Sequence, residues 1–557
     1  SRLWAAASGA DQARSDPAAA EPTPGRRVVA LAGDAGVGKT RLATRLAEDA
    51  HSEGAVVLAG RAAEEGLAPY QPFLEALRHY FVAADLDEIG VAIREYGPEL
   101  ARLVPELRRR SPGLPAAEAS DPDTERYRLF EAVVGLLSAI WQRAPILLVL
   151  DDLHWADRPT LLLLRHLARA PAPTRLLILI SYRTEAAAEG LRDLLADLGR
   201  ERLVAELRIP GLDRRETAQL VQLEAGELPS QSLIGALHRE TGGNPLFIEE
   251  IVRSLTHGGL RVSTATAADL QTLQLPEGVK RLIARRIDLL DPGAVQWLRV
   301  ASVIGRDFDL EVLDEVAELE EGDSLRSLDA ALQAGIVAES ATEPGRYSFA
   351  HALIRDALYE GMSASRRART HLRVAAALEA RSAPPRTLAH HFTQAASAAD
   401  ADKAIGYAIE AAADATLALA HEEAAAHYFR ALDVLRRWQP EAEERRLELL
   451  LLLGEAGVRA GERERVRDVF FEAAALAEKL GDQARLSRAA IGASRRYIQP
   501  PGVVDDELIG LLDRALELIQ AEPSLERVQL LARLAGAISH SPRRGQMRRL
   551  SDEAIEL

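Results

Sequence analysis

Gly33-Asp34-Ala35-Gly36-Val37-Gly38-Lys39-Thr40 constrains this chain more than any other eight residues, because it fits the pattern G-x-x-x-x-G-K-[ST] at every fixed position. Its flanks narrow the fold further. Arg27-Val28-Val29-Ala30-Leu31-Ala32 reads as a short buried strand, and the stretch from Arg41 to Ala50 sets Leu42, Leu46 and Ala50 at helical spacing. A strand that turns through glycines into a helix converges its backbone N–H groups at the helix N-terminus, where a phosphate is stabilised. Only four of the 68 basic residues are lysines. An ammonium kept at position 39 therefore points to work a flat guanidinium does badly, folding back on a flexible stem over β- and γ-phosphates. The expected cradle for ATP or ADP runs through Gly33, Asp34, Ala35, Gly36, Val37, Gly38, Lys39 and Thr40 to Arg41, with the Thr40 hydroxyl on Mg²⁺.

A second motif supplies the other half of a magnesium site. Ile146-Leu147-Leu148-Val149-Leu150 is a continuous apolar run, as a parallel strand covered on both faces requires, and it ends in Asp151-Asp152. Two carboxylates at such a strand end read as a Walker B pair. Asp151 is expected to hold Mg²⁺ and Asp152 to polarise the attacking water. Strand candidates at 27–32, 55–59, 146–150, 176–180 and 203–209 alternate with helical stretches, which indicates an α/β domain with a parallel sheet.

Leu150-Asp151-Asp152-Leu153-His154-Trp155-Ala156-Asp157, Ser181-Tyr182-Arg183 and Thr241-Gly242-Gly243-Asn244-Pro245-Leu246-Phe247, in that order, resemble the ATPase core of STAND signal-transduction regulators. The likeness is to the large ATP-binding LuxR-type regulators and covers roughly residues 25–380. It implies that Arg183 senses the γ-phosphate, that Pro245 packs on the adenine from a helical lid, and that His351 contacts the ADP β-phosphate from a winged-helix domain. Ala352 follows that histidine where the better-known form has Asp. His154 is given no catalytic role, and Asp157 and Thr160 are expected near the N-terminus of the next helix.

The implied fold is multidomain α/β plus α. A truncated N-terminal helix and linker (1–24) precede a P-loop NTPase domain (25–214), a helical lid (215–270), a winged-helix-like domain (271–383) and an incomplete TPR-like superhelix (384–557). Residues 10–25 and 111–123 read as flexible, and a wing is expected from Ile336 to Phe349, turning at Glu343-Pro344-Gly345. In the last segment Arg430-Ala431-Leu432, Glu472-Ala473-Ala474, Arg514-Ala515-Leu516 and Glu553-Ala554-Ile555 recur at offsets of 42, 42 and 39 residues. That period is longer than the ~34 residues of TPR units, so the repeats are TPR-like only.

Composition removes other classes. The chain has 557 residues and no cysteine, so disulfide frameworks, thiolate nucleophiles and cysteine-based zinc sites are out. A net charge of −16 repels a phosphate backbone, so no direct DNA binding by these residues is expected, and DNA would be reached only through a domain outside them. Apolar runs fall short of the ~20 residues of a membrane helix, and no secretory signal opens the chain. A cytoplasmic location is the resulting expectation. Ser1 and Leu557 both fall inside helical patterns, so further chain is expected at either end.

The function expected is an ATP-binding, slowly hydrolysing switch. An unknown small-molecule or protein inducer would act on it, ATP would drive self-association, and transcription would be the output. The rivals are an AAA+ motor or initiator-type ATPase, a TPR scaffold with a vestigial nucleotide site, and the regulatory core of a cyclase or kinase fusion.

Overall fold

The computed structural model describes residues 28–63, 68–84, 89–171, 175–257, 260–266, 287, 290–317, 321–340, 343–395, 397, 399–494, 504–519 and 523–557. The linker at 10–25, the N-terminal helix expected within 1–24, and Arg27 of the first strand lie outside them. The chain forms two compact units. The first comprises residues 1–118 and 128–382, the second 119–127 and 383–557.

Five strands of the first unit, β1 (Val28–Gly33), β2 (Val56–Arg61), β3 (Ile146–Asp151), β4 (Leu176–Arg183) and β5 (Val204–Arg208), form a sheet in the order β2-β3-β4-β1-β5. Every pairing is parallel. All residues of β1 and β3 are buried, as are those of β4 up to Tyr182, whereas the edge strands β2 and β5 each bury only one residue fully. That gradient is why the central strands are unbroken apolar runs. On one face Val29, Leu31, Leu147, Val149, Leu177 and Leu179 pack with Ala43 and Ala50 of the helix Lys39–Ser52.

The loop expected at 111–123 ends two residues early, because a helix begins at Pro122 and runs to Trp141. Asp121 caps it, accepting from the Thr124 N–H at 3.1 Å and from the Thr124 hydroxyl at 2.6 Å. Those bonds hold its exposed carboxyl below the usual range. Pro at the first helical position, preceded by Asp, is a start signal that the Pro- and Ala-rich composition of this stretch hides.

Helices Arg214–Ala225, Gln231–Thr241 and Pro245–His257 form the lid around Val221, Leu237, Ile248 and Leu255. Asp213 and Glu216 close a capping box at its entrance. The winged-helix-like segment packs the helices Pro292–Ile304, Leu310–Ala317, Ala352–Glu360 and Ala364–Ala380 around Trp297, Phe308 and Phe349. Its antiparallel sheet has the order β6-β8-β7, where β6 is Asp307–Asp309, β7 Val337–Glu339 and β8 Arg346–Phe349. β7 and β8 are the wing. β6 is an addition the sequence reading lacked, since three residues are too few to show alternation.

The second unit is an α-superhelix of paired helices, among them His421–Trp438, Glu443–Ala460, Arg463–Leu480, Gln483–Ala493, Asp506–Leu518, Leu525–Ala537 and Met547–Glu556. The repeated triplets fall on every second one of these. Ala431, Ala473 and Ala515 are at most 1% exposed, so each seam closes on a methyl group, while Ala554 is only half-buried. Phe470 is fully buried against Gly454 and Gly492, where an added Cβ would lie 2.6 and 2.3 Å from its ring. Arg126 pairs with Glu422 at 3.2 Å in this unit. Among the described residues no helix is long and apolar enough to cross a membrane.

Candidate nucleotide site

Three neighbouring strands end at one edge of the parallel sheet. β3 delivers Asp151 and Asp152, β4 delivers Arg183, and β1 delivers the glycine loop, with Gly33 registered against Arg183. Ligands of open α/β sheets bind at this carboxyl edge.

The helix Lys39–Ser52 starts at Gly38 with no side-chain cap and no acidic residue in its first turn. Its first N–H groups are thus left to an anion, the opposite of the Asp213 cap on the lid. Lys39 is buried, and its ammonium donates to the carbonyls of Gly33 at 2.9 Å and Asp34 at 2.8 Å. Burial, and secondarily Arg183, lower its pKa, while Asp152, Asp151 and Asp34 oppose that shift. Val37 is buried and braces Gly33, whereas Asp34 is exposed. Arg41 is 87% exposed, 3.9 Å from Glu249 of the lid.

Thr40 donates its hydroxyl to Asp151 Oδ2 at 2.8 Å, and Ser181 donates to Asp151 Oδ1. Ser181 also accepts the Asp152 N–H at 3.0 Å, so one β4 hydroxyl orients both members of the acidic pair. Two hard oxygens, Thr40 Oγ1 and Asp151 Oδ2, therefore meet at one point beside a buried ammonium. That donor set fits Mg²⁺, which takes one or two carboxylates with waters and phosphate oxygens.

Asp152 departs from the strand into the left-handed region at φ 56° and carries its carboxylate between two guanidinium groups. Arg61 Nε lies 3.7 Å and Arg306 Nη1 3.4 Å from Asp152 Oδ2. Burial and the neighbouring Asp151 raise the Asp152 pKa, and Arg61, Arg306 and Arg183 work against them. Neither arginine contact follows from a local motif. Arg61 arrives because β2 pairs with β3 in the register Arg61↔Asp151. A reader aligning the ends of those two strands would have found it. His154 is buried, neither ring nitrogen has a hydrogen-bond partner among the described residues, and burial lowers its pKa to about 3. It is a neutral ring beside the pair. Asp157 caps the next helix, accepting from the Thr160 N–H at 2.6 Å.

The lid reaches the loop through Asn244, whose amide donates to the Ala35 carbonyl at 2.9 Å. Leu246 closes over Gly36, where a Cβ would lie 2.6 Å from its side chain. Pro245 begins the helix at that point and lines the same cavity as Lys39. His351 is the N-cap residue of the helix Ala352–Glu360 and lines that cavity too. The space, about 290 Å³, is bounded by the glycine loop, Asp152, Arg183, Pro245, Arg306 and His351.

Residues 16–180 match the family described as AAA ATPase domain. An uncharacterized protein of Rhizobium meliloti (strain 1021) is 24% identical over 372 residues, which are 62% of this chain and 34% of that one. The chain thus spans about a third of the length of the curated relative it matches. Among solved structures, a Signal Transduction ATPase with Numerous Domains (STAND) protein with a tetratricopeptide repeat sensor from Pyrococcus horikoshii is similar at a TM-score of 0.42 and 15% identity, over 96% of this chain and 74% of that one. Cdc6p from Pyrobaculum aerophilum is similar at a TM-score of 0.28 and 14% identity, over 61% and 90%. Residues 16–180 thus carry the match to the AAA ATPase domain, and the lid, winged-helix-like and helix-pair segments follow it in the chain.

Proposed function

We propose that this chain is the core of a regulatory switch that binds ATP or ADP with Mg²⁺, hydrolyses ATP slowly and passes the result to an output domain. The observation that carries the reading is one cavity bounded by the glycine loop, Asp152, Arg183, the lid and the winged-helix-like segment. A nucleotide there meets the glycine loop, the lid and the winged-helix-like segment together, so its phosphate count acts on the relation between those parts.

In this reading Gly33 to Thr40 and Arg41 cradle the phosphates, with Lys39 exchanging the Gly33 and Asp34 carbonyls for phosphate oxygens. Thr40 and Asp151 hold Mg²⁺, which neutralises phosphate charge. Asp152 accepts a hydrogen bond from the attacking water. Arg183 meets the γ-phosphate, Pro245 packs on the base and His351 faces the β-phosphate of ADP. Moving such an equilibrium from 1:99 to 99:1 takes about 5.5 kcal/mol of differential binding. Two or three charge-assisted hydrogen bonds, at roughly 1.5–3 kcal/mol each, are enough. The helix pairs take the inducer, the triphosphate state self-associates, and DNA, where transcription is the output, is contacted by a domain beyond these residues. The segments proposed are 25–214 for the ATPase, 215–270 for the lid, 271–383 for the winged-helix-like domain and 384–557 for the repeats, in the cytoplasm.

The test is size-exclusion chromatography of the wild-type chain and Asp152→Asn with ADP and with a non-hydrolysable ATP analogue. The expected outcome is a larger species with the analogue and, for Asp152→Asn, with ATP itself. A chain that binds the analogue tightly yet stays monomeric in every state removes the switch and leaves an ATPase domain only.

A further inference from the structure

The acidic pair has one neighbour that neither strand end nor P-loop chemistry requires. Arg306 belongs to the winged-helix-like segment, far along the chain from Asp152, yet its Nη1 is 3.4 Å from Asp152 Oδ2. Its placement is built in by the backbone on both sides. Gly305 ends the helix Pro292–Ile304 at φ 153° and ψ −170°, a conformation open to glycine and closed to residues with a Cβ. The turn feeds directly into β6. The Arg306 carbonyl accepts the Phe349 N–H at 2.9 Å, which ties it to the end of β8, two residues before His351. One small sheet thus presents Arg306 and His351 to the same cavity. The Arg306 side chain is 31% exposed, but its Nε is buried and has no acceptor among the described residues. Burial and the nearby Arg61 disfavour its charge, and Asp152 is the largest influence sustaining it.

We propose that Arg306 is a positioning residue for Asp152, holding its carboxylate away from the attacking water so that hydrolysis stays slow until the winged-helix-like segment withdraws. The inference rests on the reading of Asp152 as the water-polarising group. The Asp152 oxygen that faces Arg61 Nε at 3.7 Å and Arg306 Nη1 at 3.4 Å has its lone pairs engaged by charged donors, so it is held off the attacking water. Arg61 stays with Asp152 through strand pairing in the parallel sheet. Arg306 leaves with its own segment, so it is the contact that couples the position of that segment to the carboxylate.

The experiment uses the whole chain as wild type, Arg306→Gln and Arg306→Lys, with steady-state ATP hydrolysis measured across ATP concentration and release of a fluorescent ADP followed by stopped flow. Arg306→Gln is expected to raise kcat about tenfold, the scale of one charge-assisted hydrogen bond, with KM within about twofold. ADP should leave faster, and Arg306→Lys should lie between Arg306→Gln and wild type. An unchanged or lower kcat in folded Arg306→Gln overturns the proposal. So does a raised KM at constant kcat, which would make Arg306 a plain phosphate ligand. Should Arg306→Gln fail to fold, Arg306→Lys decides: a raised kcat supports the proposal and an unchanged one overturns it. A wild-type chain with no affinity for ATP overturns both this inference and the nucleotide switch, whereas normal wild-type turnover with an unaltered variant overturns the inference alone.

Discussion

At the carboxyl edge of the parallel sheet, Asp151 is buried and receives hydrogen bonds from Thr40 and Ser181. In the second unit, Glu478 and Arg514 on alternate helices meet at 2.7 Å with about half of the arginine still in water. Similar pairs, Arg436–Glu472 and Lys479–Glu443, recur between residues 36 apart. Buried charge at the sheet edge is costly unless it is paired, so a change to one of its partners is felt strongly. Exposed charge between helices is nearly free to change, and the repeats are held instead by methyl-lined seams and buried aromatic rings.

Five changes would break or sharpen that contrast, from the largest expected effect to the smallest. Phe470→Ala should cost the second unit about 3–5 kcal/mol, because Gly454 and Gly492 cannot fill the space left by the ring. Urea denaturation checks this, and a loss below ~1 kcal/mol would mean that the seam does not depend on its aromatic. Lys39→Ala should weaken ATP binding by about 100-fold while leaving the melting temperature near wild type, since the ammonium's worth is spent on ligand. Calorimetry with ATP and Mg²⁺ decides it.

The third change concerns pH. His421 is buried in the second unit, its ring nitrogens have no hydrogen-bond partner among the described residues, and burial followed by Arg126 lowers its pKa to about 4. His427 is lowered to about 4 by burial and Arg430. As pH falls below about 6.5 the unfolded chain takes up protons that the folded chain refuses until about 4, so stability drops across that window and levels off beneath it. His421→Leu should flatten part of this slope in urea midpoints taken between pH 7 and 5, and an identical slope would mean that the ring is hydrated in solution.

Asn244→Ala removes the hydrogen bond from the lid to the Ala35 carbonyl and should lower nucleotide affinity by about 3- to 10-fold, equal to about 0.5–1.5 kcal/mol. Binding titrations read it directly. Glu478→Ala should shift stability by less than ~1 kcal/mol, and a larger loss in melting experiments would show that the interhelical pairs act as a network.

Much of the sheet edge was legible because its parts are contiguous in the chain. Lys39 and Thr40 lie one turn past a buried strand, and Asp151 and Asp152 close an apolar run that only a central strand explains. The repeat was legible through alanine at a recurring offset, since a seam between helices admits nothing larger. Arg61, the double role of Ser181 and Arg306 were not legible. Each acts on a carboxylate supplied by a different strand, and no local pattern records which strand ends lie side by side.

The chain's own order of residues therefore specifies strand, glycine loop and helix, and the acidic pair at a strand end, because these depend on backbone conformation and burial over a few neighbouring positions. Tertiary structure alone decides which charges face Asp152. The pairing of β2 with β3 brings Arg61, and the tie from the Arg306 carbonyl to Phe349 brings a guanidinium from 154 residues away, distances along the chain that no periodicity spans.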